Sequence, residues 1–305
     1  MVRKTAAAPV ALPMTITESN LKKHVEKLAA EIGERNVYHL PALKQAEEYL
    51  RSEWTAQGYE VVAQSYEANG APCRNLEVTR WGHSEKRQIL LVGAHYDSVA
   101  GSPGADDNAS GVATMLEISR CLANTPAART VRFVAFVNEE PPFFFWNQMG
   151  SMVYARAARK RGDDIRLMIS LEMMGYYDKR SNSQHYPPLF RYFHPDRADF
   201  IAFVSNFRSR KHLRRAVASF RTNSNFPIEH VTALSIVPGI AWSDHLSFWR
   251  QGYRALMVTD TAFYRNPHYH TSGDTPDKLD YQAFACVTEA LCETVAALSN
   301  DPAGW

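Results

Sequence analysis

The amino-acid sequence predicts an α/β sandwich built around a mostly parallel sheet. Short apolar runs recur along the chain, as in strands that are covered on both faces. Helical patterns lie between these runs, and this alternation is typical of parallel sheets whose strands are connected by helices. The chain has 305 residues, of which 45% are hydrophobic and 22% are charged, as is usual for a globular domain. We expect one domain, residues 1–305, in which residues 1–17 form an irregular extension.

The elements follow in order along the chain. Apolar positions at helical spacing predict two helices, 18–32 and 42–57, and each ends before a glycine. The middle stretch, 178–242, is expected to hold two or three helices and a loop rich in proline and aromatic residues. The remaining patterns predict helices over 110–124, 148–161 and 281–298, and strands over 59–66, 75–80, 88–94, 131–138, 165–171 and 254–259.

Charge and composition exclude several classes of function. The formal net charge is only +2, so nothing indicates a nucleic-acid or membrane-surface partner. A basic cluster between Arg208 and Arg215 has helical spacing and is interpreted as a solvated face. No apolar run is long enough for a transmembrane helix, and Pro9 and Pro13 interrupt the only segment that resembles a signal peptide. The sequence therefore favours a cytoplasmic location over secretion. The four cysteines lack CxxC spacing, which argues against a cysteine zinc site.

Acids and histidines gather where the predicted strands end. Because open α/β sheets place their sites at the carboxyl ends of strands, these side chains are expected to converge. A further acidic pair, Asp106 and Asp107, precedes a predicted helix in the loop GSPGADDNASG. The residues that follow strands, or lie in the loop after the last one, are His95, Asp97, Glu139, Glu140, Glu172 and His270.

Each of these signals has an ordinary alternative when it is taken alone. A histidine after a strand is more often a hydrogen-bonded structural residue, and an acid such as Asp107 often caps a helix. Together, however, clustered carboxylates would repel one another, and a polyvalent cation would relieve this repulsion. Nitrogen and oxygen ligands without sulfur suit zinc, cobalt or manganese. About five ligands serve two metals that share a carboxylate, and that number is available here.

The set of motifs resembles the co-catalytic zinc peptidases. The runs GAHYDS, GADDNASG, NEE, LEMMGYY, SDHLSFW and PHYHT occur in this order over about residues 85–285. That family includes bacterial leucine aminopeptidases, aminopeptidase Y, glutamate carboxypeptidase II and glutaminyl cyclases. The resemblance implies a three-layer α/β/α sandwich around a mixed, mostly parallel sheet. It also implies a cis peptide bond between Asp107 and Asn108.

The resemblance assigns a role to each residue of the cluster. Glu139 is implied as the general base, and Asp97 as the residue that orients the imidazole of His95. Asp107 would bridge two zinc ions, with His95 and Glu172 on one ion and Glu140 and His270 on the other. The implied metal ligands are therefore His95, Asp107, Glu140, Glu172 and His270.

The implied function is zinc-dependent hydrolysis of peptide bonds at a chain end. An aminopeptidase is favoured, with carboxypeptidase and dipeptidase action left open, and the expected partner is a peptide substrate. A glutaminyl cyclase that uses one zinc is one alternative. A non-catalytic, receptor-like member of the fold is another.

Three segments need separate interpretation. Aminopeptidases of the family often have aspartate where this chain has Glu172. The aromatic residues 143–146 after Glu140 are expected to pack mostly in the core, with a specificity pocket as the alternative. In SDHLSFW, Asp244 is expected to accept a hydrogen bond near the metals, and either Ser243 or Asp244 is expected to cap the helix that follows. His245 is expected to pack nearby without binding metal.

Overall fold

A computed structural model describes residues 15–188 and 190–301. Of the predicted irregular extension, residues 15–17 precede the first helix without regular structure, and residues 1–14 lie outside the described part. The strands are β1 (Val62–Ala68), β2 (Ala71–Arg80), β3 (Glu85–His95), β4 (Arg129–Phe136), β5 (Asp164–Glu172), β6 (Ile201–Ser205), β7 (Ile228–Thr232) and β8 (Ala255–Thr259). The α-helices are α1 (Glu18–Val25), α2 (Leu40–Ala56), α3 (Gly111–Leu122), α4 (Gly150–Arg161), α5 (Arg210–Asn223), α6 (His245–Arg250) and α7 (Tyr281–Asn300).

The strands form one mixed sheet in the order β1-β2-β4-β3-β5-β8-β6-β7. Strands β4, β3, β5 and β8 run parallel to one another, and β7 is parallel to β6. Antiparallel pairing joins β1 to β2, β2 to β4 and β6 to β8. The prediction of a mixed, mostly parallel sheet is therefore confirmed. The carboxyl ends of β3, β4, β5 and β8 meet at one edge, which we call the upper edge.

Helices cover both faces of the sheet, as a three-layer sandwich requires. On one face, residues such as Leu90 and Val92 of β3 join a large core with α1, α2, α3, α5 and α7. On the other face, Leu91 and Phe136 pack with residues of α4 and α6, including Tyr154 and Phe248. Alternate residues of β3 thus enter opposite cores, which explains why its sequence is almost continuously apolar.

Most predicted elements are present, but the first hairpin is longer than predicted. The expected strands 59–66 and 75–80 correspond to β1 and β2, which start at Val62 and Ala71. Asn69 and Gly70 connect them, both with positive φ (50° and 78°). Asn-Gly is the preferred pair for a two-residue hairpin turn. The position of the turn could therefore have been predicted from this pair, whereas the alternation of apolar residues alone did not reveal it.

The interpretation of 178–242 was wrong. The described residues of this stretch hold one α-helix, α5, and the strands β6 and β7, which were not predicted. They also hold a turn of 3₁₀-helix at Phe190–Tyr192 and a second turn at Phe207–Ser209 that runs directly into α5. Both strands are five residues long, and β7 (IEHVT) lies at the sheet edge with polar residues among apolar ones. Runs this short give weak periodicity, and the pairing partners that stabilise them lie far along the chain.

The expectation for the basic cluster agrees with the structure. On α5, the side chains of His212 and Leu213 are buried while Arg210, Lys211 and Arg214 are exposed, so the basic cluster lies on the outer face of the helix. Among residues 15–188 and 190–301, no helix combines the length and apolar character needed to cross a membrane.

Candidate metal centre

Asp107 lies in a tightly fixed loop between β3 and α3. The backbone amides of Asp106 and Asp107 donate hydrogen bonds to the two carboxylate oxygens of Asp274, at 2.9 and 3.1 Å. The side chain of Asn108 spans to β5, because its amide donates to the Leu171 carbonyl at 2.9 Å. The peptide bond between Asp107 and Asn108 is cis, as predicted. Asp107 is buried within this loop and does not act as a simple helix cap.

The carboxylate of Asp107 lies between two imidazoles. Its Oδ1 is 3.3 Å from Nε2 of His95, and its Oδ2 is 3.1 Å from Nε2 of His270. Nε2 of His95 is also 3.5 Å from Oε1 of Glu172, and Nε2 of His270 is 3.3 Å from Oε2 of Glu140. The structure thus brings all five predicted ligands together. They fall into two groups that share Asp107.

Asp97 holds the cluster together differently from its expected role. The Nδ1 of His95 lies 3.2 Å from the main-chain carbonyl of Asp97, and 3.6 Å from its carboxylate. The carboxylate instead accepts the backbone amides of Glu139 and Glu140, both at 3.2 Å. Asp97 therefore orients His95 mainly through its backbone, while its side chain fixes the segment that carries both glutamates. A sequence motif does not distinguish these two kinds of contact.

The two neighbouring glutamates approach different histidines. Oε2 of Glu139 lies 3.9 Å from Nε2 of His95, whereas Glu140 approaches His270. Both side chains are buried. This arrangement agrees with the expectation that the two acids face different groups.

Ser243 is a site residue that the sequence analysis considered only as a helix cap. Its hydroxyl donates a hydrogen bond of 2.6 Å to Oε2 of Glu172 and lies 2.9 Å from the hydroxyl of Ser170. This contact leaves Oε1 of Glu172 facing His95. The signal for Ser243 was its place in SDHLSFW, but a hydroxyl beside an acid is common and does not reveal its partner.

The donor set fits metal cations. Burial favours the neutral form of His95, but Glu172 and Glu139 outweigh it and raise the pKa of His95 well above its usual value. Burial likewise opposes charge on His270, yet Asp107 and Glu140 raise its pKa to about 10. The carboxylates of the cluster thus strongly stabilise positive charge placed among them.

Unsatisfied oxygens point in the same direction. Asp107 Oδ1 and Glu140 Oε1 are buried without a hydrogen-bond partner in the described part of the chain. Nδ1 of His95 lies against the Asp97 carbonyl, which leaves Nε2 facing Asp107. Ligand atoms of His95, Asp107 and Glu140 lie within 4.8 Å of one another, which is close enough for metal binding around the Asp107 carboxylate.

The carboxylate of Asp244 and the ring of His245 differ from the ligand cluster. Asp244 is fully buried, and burial raises its pKa to about 7, although His95 and the Ser151 hydroxyl lower it. Within the described residues, neither of its carboxylate oxygens has a hydrogen bond of standard geometry. Asp244 precedes α6, yet its side chain makes no capping bond, so that expectation was wrong. His245 faces the Ile240 carbonyl through Nε2 at 2.9 Å, and its ring packs edge-on against Trp249.

The aromatic segment after Glu140 is not mainly a core element. Phe143 is buried, but Phe145 and Trp146 are 38% and 69% exposed, so the favoured interpretation was wrong for these two residues. Pro141 and Pro142, which precede it, are exposed and are joined by a cis bond. None of residues 143–146 lines the large pocket described next.

A large apolar pocket opens beside the ligand cluster and encloses about 860 Å³, including its mouth. Glu172 and Tyr269 form its end at the cluster, and the ring of Tyr269 stacks on His270 with 3.8 Å between centroids. Side chains of β8, β6 and β7 form the floor, and loops within residues 178–242 form much of the wall. The floor residues are Met257, Thr259, Ala202, Val204, Glu229 and Val231, and the wall includes Tyr186, Phe190, His194, Ile240 and Trp242.

An α/β/α sandwich with buried acids and histidines at the carboxyl ends of its strands defines a candidate metallohydrolase. The chain belongs to peptidase family M28, whose profile matches residues 75–295. The resemblance inferred from the motifs is therefore confirmed.

Individual relatives agree with this assignment. Uncharacterized protein YfbL of Escherichia coli strain K12 is 37% identical over 293 residues, which cover 92% of this chain and 89% of the relative. Leucine aminopeptidase 1 of Coccidioides posadasii is 26% identical over 297 residues, covering 87% and 70%.

Solved structures with low identity share the fold. The zinc aminopeptidase BSAP of Bacillus subtilis superposes with a TM-score of 0.77 at 15% identity, covering 96% of this chain and 97% of that one. A glutaminyl cyclase of Fimbriiglobus ruber gives a TM-score of 0.70 at 19% identity, covering 96% and 99%. The architecture is thus common to hydrolases and cyclases, and the distinction between them depends on the site.

Proposed function

We propose that this protein is an aminopeptidase that uses two zinc ions to hydrolyse the first peptide bond of its substrate. The observation that carries the proposal is the position of Asp107, whose two carboxylate oxygens face two different imidazoles at 3.3 and 3.1 Å. A carboxylate in this position can be shared by two cations. The similarity to leucine aminopeptidase 1 supports amino-terminal cleavage, and the shared fold with the zinc aminopeptidase BSAP supports zinc.

Each ion would have its own ligands besides the shared carboxylate. His95 and Glu172 would hold one zinc, and Glu140 and His270 would hold the other. Imidazole nitrogens and carboxylate oxygens without sulfur fit zinc, and Ser243 and Asp97 would orient the ligands from outside. Bound zinc lowers the pKa of a water molecule toward ~7 and polarises the carbonyl that is attacked.

Glu139 would act as the general base. It lies beside the cluster, and Asp97 holds its backbone amide. Burial is the main cause that raises the pKa of Glu139, while His95 lowers it. A carboxylate with a raised pKa can take a proton from the attacking water and deliver it to the leaving amine. This transfer leaves Glu139 ionised again at the end of the cycle.

The apolar pocket would hold the side chain of the amino-terminal residue. It begins at Glu172 and Tyr269, so a carbonyl at the metal centre would place the neighbouring side chain at the pocket mouth. Apart from Glu229 and two histidines, the floor and walls away from the cluster are mostly apolar or aromatic. We therefore propose bulky apolar residues as the preferred amino-terminal residues, because they bury the most surface there.

Two alternatives predict different metal contents. A glutaminyl cyclase with one zinc would not need Asp107 to face two histidines. A receptor-like protein would not need an intact ligand set. The presence of all five residues in contact favours the two-metal hydrolase over both.

The test is a panel of substrates offered to the zinc-loaded protein. We expect hydrolysis of leucine p-nitroanilide, no hydrolysis of N-acetyl-leucine p-nitroanilide, and loss of activity on treatment with a chelator. Cyclisation of an amino-terminal glutamine without hydrolysis would favour the cyclase. Preferential cleavage of blocked substrates would contradict the aminopeptidase proposal.

A further inference from the structure

A second pocket lies at the edge of the sheet opposite the metal centre. It is formed where β5 and β8 begin, together with the last turn of α4 and the segment that precedes α5. We call it the arginine pocket, because four of its ten lining residues are arginines. These are Arg159, Arg166, Arg208 and Arg254.

Two of the arginines converge from different elements on Gly252. A side-chain carbon at Gly252 would lie 2.9 Å from Nη2 of Arg159 and 3.7 Å from Nη1 of Arg208. Gly252 also has a φ of +80°, which favours glycine. The missing side chain thus lets two guanidinium groups approach the same point. Arg159 is further fixed by stacking over Tyr253, with 4.9 Å to the ring centre.

The two acids of the pocket do not neutralise Arg159 or Arg208, because both pair with other arginines. Asp163 is already bound by Arg132 at 2.6 Å and by Arg161 at 2.8 Å. Asp164 pairs with Arg166 at 3.3 Å.

Three guanidinium groups therefore carry uncompensated charge. Across residues 15–188 and 190–301, no carboxylate lies within ion-pair distance of Arg159, Arg208 or Arg254. Like charges gathered in a concave surface produce a focused positive potential.

The pKa of the neighbouring His212 is lowered in part by the same positive charges. His212 lines the pocket and is 7% exposed. Burial and then Arg254 are the main causes that lower its pKa to about 4. Burial also lowers the pKa of Arg254, and Arg208 lowers it further. His212 is therefore neutral at physiological pH, and its imidazole can donate or accept a hydrogen bond without adding charge.

We propose that the arginine pocket binds a phosphate dianion, either inorganic phosphate or the phosphate group of a small phosphomonoester. Guanidinium groups match phosphate oxygens with paired, charge-assisted hydrogen bonds. Arg159, Arg208 and Arg254 supply these donors from three separate segments of the chain. This site is separate from the metal centre, and the proposal does not depend on the peptidase activity.

The experiment is a calorimetric titration of the zinc-loaded full chain with inorganic phosphate at constant ionic strength. A zinc centre can also take phosphate, so the informative quantity is the component that depends on the arginines. We expect Arg208→Gln/Arg254→Gln to lose this component, and either single substitution to weaken it by about 10- to 100-fold. A matched control is Arg87→Gln/Arg197→Gln, which removes two exposed arginines that do not line the pocket.

Further arms of the experiment identify the ligand and control for misfolding of the variants. Glycerol 3-phosphate replaces phosphate in one arm, and binding as tight or tighter would identify a phosphomonoester as the ligand form. Thermal unfolding without phosphate checks each variant, and the single substitutions serve if the double variant does not fold. Equal phosphate binding by wild type, control and pocket variants would overturn the proposal. So would equal heats from sodium chloride.

Discussion

The upper edge of the sheet divides into two halves that differ in how their residues are fixed. In the ligand half, polar residues at or just after the ends of β3, β4 and β5 are held by buried hydrogen bonds. Examples are the bonds that the backbone amides of Glu139 and Glu140 donate to the Asp97 carboxylate. In the pocket half, β8, β6 and β7 present alternate side chains to an open apolar space that is walled by loops. Under the proposed function, the chemistry would reside mainly in the ligand half and the selectivity mainly in the pocket half, so each half could be altered alone.

The largest effect is expected in the ligand half, from Glu139→Gln. This change keeps the shape of the side chain but removes the general base, so kcat should fall by about 10²–10⁴-fold. Zinc content should not change, because Glu139 approaches His95 only at 3.9 Å. The matched control, Glu289→Gln, alters an exposed residue of α7 and should retain full activity. Retained turnover with full zinc content in Glu139→Gln would remove this residue from the mechanism.

A change in the pocket half should alter selectivity without altering chemistry. Ala202→Leu would add carbon atoms to the pocket floor, where Ala202 is paired with Thr259 and with Glu229 on the adjoining strands. The kcat/KM for phenylalanine p-nitroanilide should fall by about 10- to 200-fold, while that for alanine p-nitroanilide is retained. Equal losses for both substrates would show that the halves are not separable. No change for either would show that the pocket does not bind the substrate side chain.

A smaller effect is expected at Ser243, which contacts Glu172 in the ligand half. Ser243→Ala removes the 2.6 Å hydrogen bond to Glu172, and outer contacts of this kind typically change metal affinity by about 10- to 100-fold. Competition with a chelator measures the affinity for zinc. Ser243→Thr keeps the hydroxyl and should restore most of it. Unchanged affinity in Ser243→Ala would exclude Ser243 from positioning the ligand.

The smallest effect concerns stability in acid. Burial lowers the pKa of His245 to about 4, below its unfolded value of about 6.5, so its contribution is present above pH 6.5 and is lost as pH falls toward 4. His245→Gln keeps a donor for Ile240 but does not titrate. The stability advantage of wild type over this variant should shrink by about 2 kcal/mol between pH 7 and pH 5. Denaturant unfolding measures it, and the exposed His83→Gln should show no such change. If the difference in unfolding free energy between wild type and His245→Gln did not change with pH, burial would not be lowering the pKa of His245.

The two halves also differ in how far the sequence predicted them. In the ligand half, nearly continuous apolar runs such as Gln88–Ala94 identified the buried strands, and the polar residues after them formed the site. Parallel strands bring their carboxyl ends together whatever the intervening loops do. The topology rule therefore placed His95, Glu140 and Glu172 near one another without any knowledge of distances.

Apart from β8, which was predicted as the strand 254–259, the pocket half escaped prediction for physical reasons. Strands β6 and β7 have five residues each, and their stability comes from pairing with each other and with β8. The wall residues Tyr186, Phe190 and His194 follow no periodic pattern, because loops are positioned by the scaffold and not by local repeats. The role of the Asp97 backbone was hidden for a related reason, since a motif records side chains only.

The central claim is that Asp107 is shared by two zinc ions, and zinc content measured by atomic emission tests it most directly. Wild-type protein should contain two zinc ions per chain. His95→Ala, which removes one ligand of one ion, should lose less zinc than Asp107→Ala, which removes a ligand of both. His245→Ala serves as the control and should retain both ions, whereas His270→Ala should lose one. One zinc per wild-type chain, or equal zinc content in Asp107→Ala and His95→Ala, would contradict the two-metal site.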